Sequence, residues 1–383
     1  MSVPPPNQWG QQPPTGGQPV GAPQWEPPAG GPPGGAPQWG PQQPWGPPPG
    51  PPQGRGGKGK WIFAGIAVLA VIAVTVVITV LVVGKDSGGE SPTPNGNTSD
   101  IASANDKGPV AIITDDPTCD SWRRINDSVA AAEKGVSWPE RDQSVPATAW
   151  TPQQRSMYET VGKAMRGAAD QVVGVVRLTP HRVMRELYEQ FIAYSRAFVA
   201  SIPSYAANDR DRNSALAPDN LGLTLTGICS AIVTGSAGPI APLVAGAAGP
   251  TESSLPGDPA DPQRFLSTTN PICAEWESAL AKFSDDTVAW RAIDAAIPAT
   301  DWNPDQKAIN DAVIPKITAL ADQLERLGRG SGNPTLEDFA LLSAQYWRAF
   351  RLALPSYTSS DVYLGNAGNF SAYVVKEACN AAG

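Results

Sequence analysis

The sequence predicts an all-α protein: a disordered Pro/Gly-rich tail, one transmembrane helix, and two tandem helical bundles, each closed by a disulfide. Three observations support this fold class. Residues 1–60 hold 19 of the 41 prolines and 15 of the 38 glycines in the 383-residue chain, and these residues do not build the interiors of helices or sheets. Residues 61–83 form one apolar run. In the rest of the chain, one pattern of apolar periodicity and paired cysteines occurs twice.

The apolar run at 61–83 contains no charge and no proline, and about 20 such residues cross the hydrocarbon core as a helix. Arg55, Lys58 and Lys60 stand just before it, whereas Asp86 and Glu90 follow it. The positive-inside rule therefore places the N-terminus in the cytoplasm and residues 84–383 outside. We predict a single-pass plasma-membrane protein in contact with the lipid bilayer. A buried core helix is the alternative.

Charge and cysteine usage restrict what the external part can do. The whole chain has a net charge of −8, and the tail contributes +2, so the residues after the span carry −10. This balance argues against a nucleic-acid partner. All four cysteines lie after the span, which agrees with an oxidising compartment where disulfides persist.

Four tryptophans are spaced along the tail, at Trp9, Trp25, Trp39 and Trp45, and the first three each follow a glutamine. Proline-rich segments are preorganised ligands for aromatic grooves, and exposed tryptophans add apolar contact area. We therefore predict that the tail at 1–60 recruits cytoplasmic proteins. The alternative is a spacer without partners.

After a flexible linker predicted at 84–116, one pattern occurs at 117–234 and again at 271–383. The Gly/Ala/Pro-rich residues 235–270 between the two units are predicted to form a linker or a loosely packed crossover. Every position from Trp150 to Tyr205 corresponds to the position 152 residues later, from Trp302 to Tyr357. The shared words include Tyr-x-Arg-Ala-Phe and Pro-Ser-Tyr. So many matches in one order indicate two homologous repeats.

Each repeat is predicted to contain four helices. Apolar residues recur at steps of three and four, the period of an amphipathic helix. A cap residue, a proline and then a glutamine open one long helix in each repeat, at Thr151 and at Asn303. The first helices are predicted at about 119–134 and 273–296, and the last helices precede the closing cysteines. Pro315 is predicted to kink the long helix of the second repeat.

Four cysteines permit three pairings. The pairing of Cys119 with Cys229 and of Cys273 with Cys379 keeps each bridge within one repeat and joins its first helix to its last. We predict this pairing. A redox-active pair is the alternative, but no Cys-x-x-Cys spacing occurs to support it.

The most site-like feature is the arginine of each Tyr-x-Arg-Ala-Phe word together with the tyrosines around it. An arginine flanked by aromatic rings can bind a carboxylate or a glycan. The alternative is structural, with the rings in the bundle core and the arginine paired with a carboxylate. The candidate binding residues are Tyr194, Arg196 and Tyr205 in the first repeat and Tyr346, Arg348 and Tyr357 in the second.

The sequence offers no strong candidate for catalysis. Its one histidine, His181, lies at a predicted helix start, so histidine-based metal or catalytic sites are disfavoured. Residues 84–383 contain no phosphate-binding loop, dinucleotide turn or nucleophile motif. Adjacent acids such as Asp115-Asp116 and Asp285-Asp286 are interpreted as solvated loop residues. We predict no enzymatic activity, no cofactor and no metal site.

The Pro/Gly/Gln/Trp tail, the Gly-Lys-Gly-Lys sequence at 57–60, the Val/Ile/Ala-rich span and the Ser/Thr/Asn linker resemble those of proline-rich single-pass membrane proteins of mycobacteria and related actinobacteria. The resemblance covers residues 1–100. It implies a plasma-membrane protein that faces the cell envelope, and it carries no catalytic residue across.

The sequence thus favours a non-enzymatic envelope protein that binds or scaffolds partners. These would be cytoplasmic proteins at the tail, and envelope proteins or glycans at the external repeats. One alternative is a sensor whose two repeats clamp a small envelope molecule or glycan. A solvent-facing cluster around Arg196 or Arg348 would favour it. A cell-wall-modifying enzyme is the other alternative, and it requires a cleft with converging titratable groups.

Overall fold

The computed structural model describes residues 101–206, 208–252 and 256–382, and this part of the chain is all-α, as the sequence predicts. Each repeat contributes four of the longer helices. Their bounds are α1 Cys119–Gly135, α2 Pro152–Val176, α3 Arg182–Ser201, α4 Asp209–Val233, α5 Cys273–Asp286, α6 Pro304–Arg329, α7 Pro334–Ala353 and α8 Val362–Ala382. The predicted tail with its tryptophans and the predicted span at 61–83 lie outside the described residues.

The long helices α2 and α6 begin at the predicted caps. The Thr151 hydroxyl accepts a hydrogen bond from the backbone N–H of Gln154 at 3.1 Å. Asn303 and Gln306 form a reciprocal capping box, in which each side chain accepts from the backbone N–H of the other residue. These bonds satisfy N–H groups that have no partner within the helix. Helix α6 then runs through Pro315 and ends at Arg329.

The prediction that the first helix of the second repeat reaches about residue 296 is wrong. Helix α5 ends at Asp286, and a separate short turn, Val288–Arg291, follows it. The Thr287 hydroxyl donates to the carbonyl of Phe283 at 2.6 Å, and the guanidinium of Arg291 donates to the carbonyl of Ser284 at 2.7 Å. Side-chain bonds of this kind compete with the helical ladder, and the backbone leaves the helical conformation at Thr287.

Residues 101–116, part of the predicted flexible linker, pack against both repeats. Val110 is buried, and the backbone N–H of Ile113 donates to the hydroxyl of Tyr346 at 3.3 Å. Asp116 is also buried, which corrects its interpretation as a solvated acid. Its carboxylate accepts from the backbone N–H of Thr118 at 2.8 Å and from the hydroxyl of Thr179 at 2.6 Å. Composition alone does not show such contacts, because they are made with distant parts of the chain.

The predicted linker at 235–270 also contacts both repeats. Its residue Phe265 donates its backbone N–H to the Gln190 side chain on α3 at 2.9 Å, and its carbonyl accepts from the Asn333 side chain before α7 at 2.7 Å. Val110 and Ala247 form an antiparallel bridge between the two predicted linkers. The described segment therefore serves as a packed crossover.

The two repeats contact each other directly, most extensively through α4 and α8 and also through α3 and α7. At the crossing of α4 with α8, a Cβ added to Gly227 would lie 2.9 Å from the backbone nitrogen of Ala367. Buried residues of both repeats join in one hydrophobic core. The sensor hypothesis placed a ligand between the two repeats, whereas α4 and α8 pack directly against each other.

Each repeat is closed by one disulfide, Cys119–Cys229 in the first and Cys273–Cys379 in the second. Each bridge joins the first helix of its repeat to the last. The bridges enclose chain segments of 110 and 106 residues, and closing loops of this size restricts the unfolded chain. Two disulfides are typical of a domain outside the cytoplasm.

Among the described helices, α4 over Asn213–Val233 is long and apolar enough to cross a membrane by length and composition alone. Over half of that stretch is buried in the protein, where α4 packs against α3 and α8. Its apolar surface thus has a partner within the fold.

Candidate functional site

Arg196 and Arg348 lie at the surface in equivalent ion pairs. The Arg196 guanidinium lies 3.1 Å from the Asp170 carboxylate, and the Arg348 guanidinium lies 2.7 Å from that of Asp322. Asp170 and Asp322 are themselves 152 residues apart. Arg348 also pairs with Glu325 at 2.6 Å. Although partial burial opposes it, the guanidiniums of Arg348 and Arg329 hold the pKa of Glu325 below its usual value.

The four candidate tyrosines are buried and do not form a binding face with these arginines. The Tyr194 hydroxyl faces the carbonyl of Leu266, and the Tyr346 hydroxyl accepts from Ile113. The Tyr205 and Tyr357 hydroxyls donate to backbone carbonyls at 2.8 and 2.7 Å. Packing within the core, the alternative that the sequence left open, accounts for all four.

A shallow depression lies beside Arg196 on the first repeat. Arg166, Asp170, Arg196, Val199 and Ala200 line it, and about 310 Å³ of it is open to water-sized probes. Two guanidiniums and one carboxylate thus share a surface hollow.

Aromatic residues of the first repeat, most of them repeated in the second, form a cluster of rings that we call the aromatic frame. Trp138, Trp150 and Tyr205 surround the ring of Tyr158, which is only 1% exposed, and Phe198 lies against Trp138. The Tyr158 ring stacks on Trp150 with centroids 4.1 Å apart, and lies 4.9 Å from Trp138 and 5.2 Å from Tyr205. Such contacts between rings add to the stability that burial gives.

The second repeat has the same frame without the central ring. Trp290, Trp302, Phe350 and Tyr357 occupy the equivalent positions, but Asn310 stands where Tyr158 does. A cleft lies there, lined by these four rings, Asn310 and the loop residues Ile293 to Ile297. The cleft has a volume of about 20 Å³, enough for about one water molecule.

A buried charge cluster lies where α3 meets α7. Arg182 makes a bidentate pair with Asp338, at 2.8 and 2.9 Å. Glu186, which is 152 residues before Asp338, is buried, and neither of its carboxyl oxygens accepts a hydrogen bond from the described residues. Arg185 lies 3.6 Å from it. Burial, and then the negative charge of Asp338, raise the pKa of Glu186 well above its usual value.

A second acid pair in the first repeat has raised pKa values. Burial, and then the charge of Asp219, raise the pKa of Glu133 to about 8, and burial raises the pKa of Asp219 to about 6. Arg141, whose guanidinium stacks on Trp138 at 3.7 Å, opposes both shifts. In the described residues, no three His, Cys, Asp or Glu side chains group closely enough to hold a metal ion.

A known protein family matches the region that the structure describes. The family described as mycobacterial ESX-1 associated protein matches residues 101–383. The chain belongs to this family. The match covers both helical repeats and the packed segment at 101–116. It therefore concerns the part of the chain that the structure describes, and a mycobacterial family agrees with the resemblance found in the sequence.

A protein of Mycolicibacterium smegmatis (strain MKD8), described as uncharacterized, is 45% identical to this chain over 349 residues. The alignment covers 89% of this chain and 91% of the relative. No solved structure matches the chain.

Sequence reasoning missed three features that the 152-residue correspondence could have revealed. These are the repeated Arg–Asp surface pair, the acids Glu186 and Asp338 at one equivalent position, and the replacement of Tyr158 by Asn310. Each can be found by comparing residues 152 positions apart in the two repeats. Only the structure shows which other residues these side chains contact.

Proposed function

We propose that this protein acts without catalysis, as a membrane-anchored envelope protein that binds or scaffolds protein components of the ESX-1 secretion system. The observation that carries the proposal is the family match across both repeats, since the family is described by its association with ESX-1. The structure adds two repeated surfaces held in a fixed relation by directly packed helices.

The proposed topology rests on two features. The disulfides support an extracytoplasmic position for the repeats. The apolar run at 61–83, with basic residues before it, supports a single membrane anchor with a cytoplasmic N-terminus. In this arrangement the Pro/Gly-rich tail with its four tryptophans recruits cytoplasmic partners, while the repeats contact partners in the envelope. A protein of this kind links the two sides of the membrane.

The test is in-cell crosslinking and pull-down of the full-length chain beside a variant that lacks residues 1–54 and keeps the basic residues and the span. We expect ESX-1 components to be enriched with the full-length chain, and a cytoplasmic subset of them to be lost with the deletion. A full-length chain that enriches no ESX-1 component contradicts the proposal. Equal partner lists from both chains would make the tail a spacer.

Topology is tested with alkaline phosphatase, which is active only outside the cytoplasm, fused to either end of the chain. We expect activity from the C-terminal fusion and none from the N-terminal one. The opposite result would place the repeats in the cytoplasm and would remove the envelope part of the proposal.

A sensor of small anionic molecules or glycans is the second candidate, and the depression beside Arg196 favours it. Arg166 presents a guanidinium there beside that of Arg196, which is held by Asp170 and the Ala260 carbonyl, and guanidiniums bind carboxylates in bidentate geometry. Soluble anionic sugars should then raise the melting temperature of the full-length chain but not that of an Arg166→Ala variant. Equal melting curves with and without the sugars would remove this candidate.

A further inference from the structure

The aromatic frames of the two repeats are built by the same hydrogen bonds. The indole N–H of Trp150 donates to the carbonyl of Val145 at 2.8 Å, and that of Trp302 donates to the carbonyl of Ile297 at 3.0 Å. The loop of each repeat also returns to its tyrosine, because Ala147 and Ala299 donate their backbone N–H groups to the carbonyls of Tyr205 and Tyr357, both at 2.8 Å. The frames can therefore be compared position by position.

The frames differ at their centre. Tyr158 fills the first frame with a ring, whereas the shorter Asn310 lies against the wall of the second. The Asn310 amide accepts from the indole N–H of Trp290 at 3.1 Å and donates to the carbonyl of Gln306 at 2.9 Å. Trp302 and Tyr357 remain nearly parallel, with planes 20° apart and centroids 5.9 Å apart. The corresponding pair in the filled frame, Trp150 and Tyr205, has centroids 5.6 Å apart.

The unfilled frame opens to the surface. Trp302 is partly exposed, whereas Trp150 is buried beneath Tyr158. Ile293 and Ile297 are partly exposed along the same cleft. In this structure the cleft has room for about one water molecule, so an entering ring must displace part of this partly exposed lining. Asp294 in the lining offers an acceptor for a phenol hydroxyl or an indole N–H.

We infer that the cleft of the second repeat binds an aromatic side chain of a partner protein, which takes the place that Tyr158 fills in the first repeat. The first repeat shows which chemistry fits the same frame: a planar ring stacked on Trp150, the counterpart of Trp302. Aromatic side chains seated in apolar pockets are typical anchors of protein interfaces. This inference rests on the proposed function, which requires protein partners of the repeats.

The test uses variants of the full-length chain that fill the cleft from inside. Asn310→Tyr restores the arrangement of the first repeat. Asn310→Phe does so without a hydroxyl, and in the first repeat the Tyr158 hydroxyl has no hydrogen-bond partner among the described residues. Lys307→Tyr, which adds a tyrosine at an exposed position of α6, is the matched control. Circular dichroism and thermal denaturation establish that each variant is folded.

The first measurement uses 4-methylphenol, the side chain of tyrosine, as a probe in ligand-observed NMR with the full-length chain in detergent. We expect a binding signal with the wild type and with Lys307→Tyr, and at least a tenfold smaller one with folded Asn310→Tyr or Asn310→Phe. Partition of 4-methylphenol into detergent contributes equally to the signals of all four proteins, so comparing the variants cancels it. Equal signals from all four proteins overturn the inference.

The second measurement repeats the in-cell crosslinking with the same variants. We expect partners of the external repeats to be retained by Lys307→Tyr and reduced at least tenfold by Asn310→Tyr and Asn310→Phe. If the filled variants keep every partner, the cleft is not a protein-docking site even where the probe binds, and the proposed function stands without it. If the wild type itself captures no envelope partner, the proposed function fails as well.

Discussion

The close crossing of α4 and α8 gives the sharpest test of how the two repeats are joined. Replacing Gly227 by alanine would place the new Cβ 2.9 Å from the backbone nitrogen of Ala367 and 3.1 Å from its Cα. Carbon contacts are optimal at about 3.5–4.0 Å, so the helices must separate by roughly half an ångström. The atoms in the way belong to backbone, which cannot turn aside as a flexible side chain can.

The same helix provides a matched control at Gly222. A Cβ there would meet the Trp122 ring at 3.5 Å and the Asn126 side chain at 3.7 Å, which are ordinary contacts. Gly→Ala inside a helix is worth about 1 kcal/mol in propensity, so Gly222→Ala should stabilise the protein by about that amount. At Gly227, an overpacking cost of about 1–3 kcal/mol opposes the same gain. Gly222→Ala should therefore be more stable than Gly227→Ala by about 1–3 kcal/mol.

The assay is urea denaturation of the full-length, oxidised chain in detergent, followed by the helical signal in far-ultraviolet circular dichroism. Both variants should begin with the wild-type helical content. If Gly227→Ala is as stable as Gly222→Ala, the backbones of α4 and α8 are not in close contact, and the two repeats are not joined in the way described above.

Three further predictions concern the bridges, the buried acid and the aromatic frame. Replacing Cys119 and Cys229 together by alanine should destabilise the chain by about 4 to 5 kcal/mol, the loop-closure entropy of its 110-residue separation; a loss below about 1 kcal/mol in urea denaturation would contradict this. Because the pKa of Glu186 is raised in the folded state, the folded chain holds a proton that the unfolded chain releases, so this residue makes stability fall as the pH rises above about 4.5. Glu186→Gln should flatten the decline above about pH 4.5, and parallel wild-type and variant slopes would refute the assignment. Tyr158→Phe should be nearly neutral, because the hydroxyl that it removes is buried without a partner, whereas Tyr158→Ala should cost about 3–5 kcal/mol; equal thermal denaturation of the two variants would show that the ring does not fill the frame.

Much of the fold could be predicted because its signals are local. The caps at Thr151 and Asn303 lie within three residues of their partners, and the apolar stripes repeat within single helices. The cysteine pairing followed from the repeat itself. The end of α5 was missed because it depends on a Thr287 side-chain bond, which periodicity does not reveal.

The candidate site was predicted less well, because it depends on which residues meet across the fold. Arg196 and Arg348 were identified as site-like, and the structure places both at the surface in ion pairs with acids on a neighbouring helix. The aromatic cleft depends on Asn310, which belongs to no catalytic or metal-binding motif and was therefore not predicted as a site residue. Its significance comes from the rings around it and from the tyrosine in the other repeat.

The sequence by itself determined the helical repeats, their starts and their bridges, because these follow from spacing along the chain. It also predicted the tail, the span and the topology, which lie outside the described residues and stay predictions. The tertiary structure alone decided that the repeats share one core, that residues 101–116 belong to it, and that one aromatic frame is filled while the other is open. The first two properties depend on contacts between residues more than a hundred positions apart, and the third depends on rings that separate helices and loops bring together. No local pattern specifies such contacts.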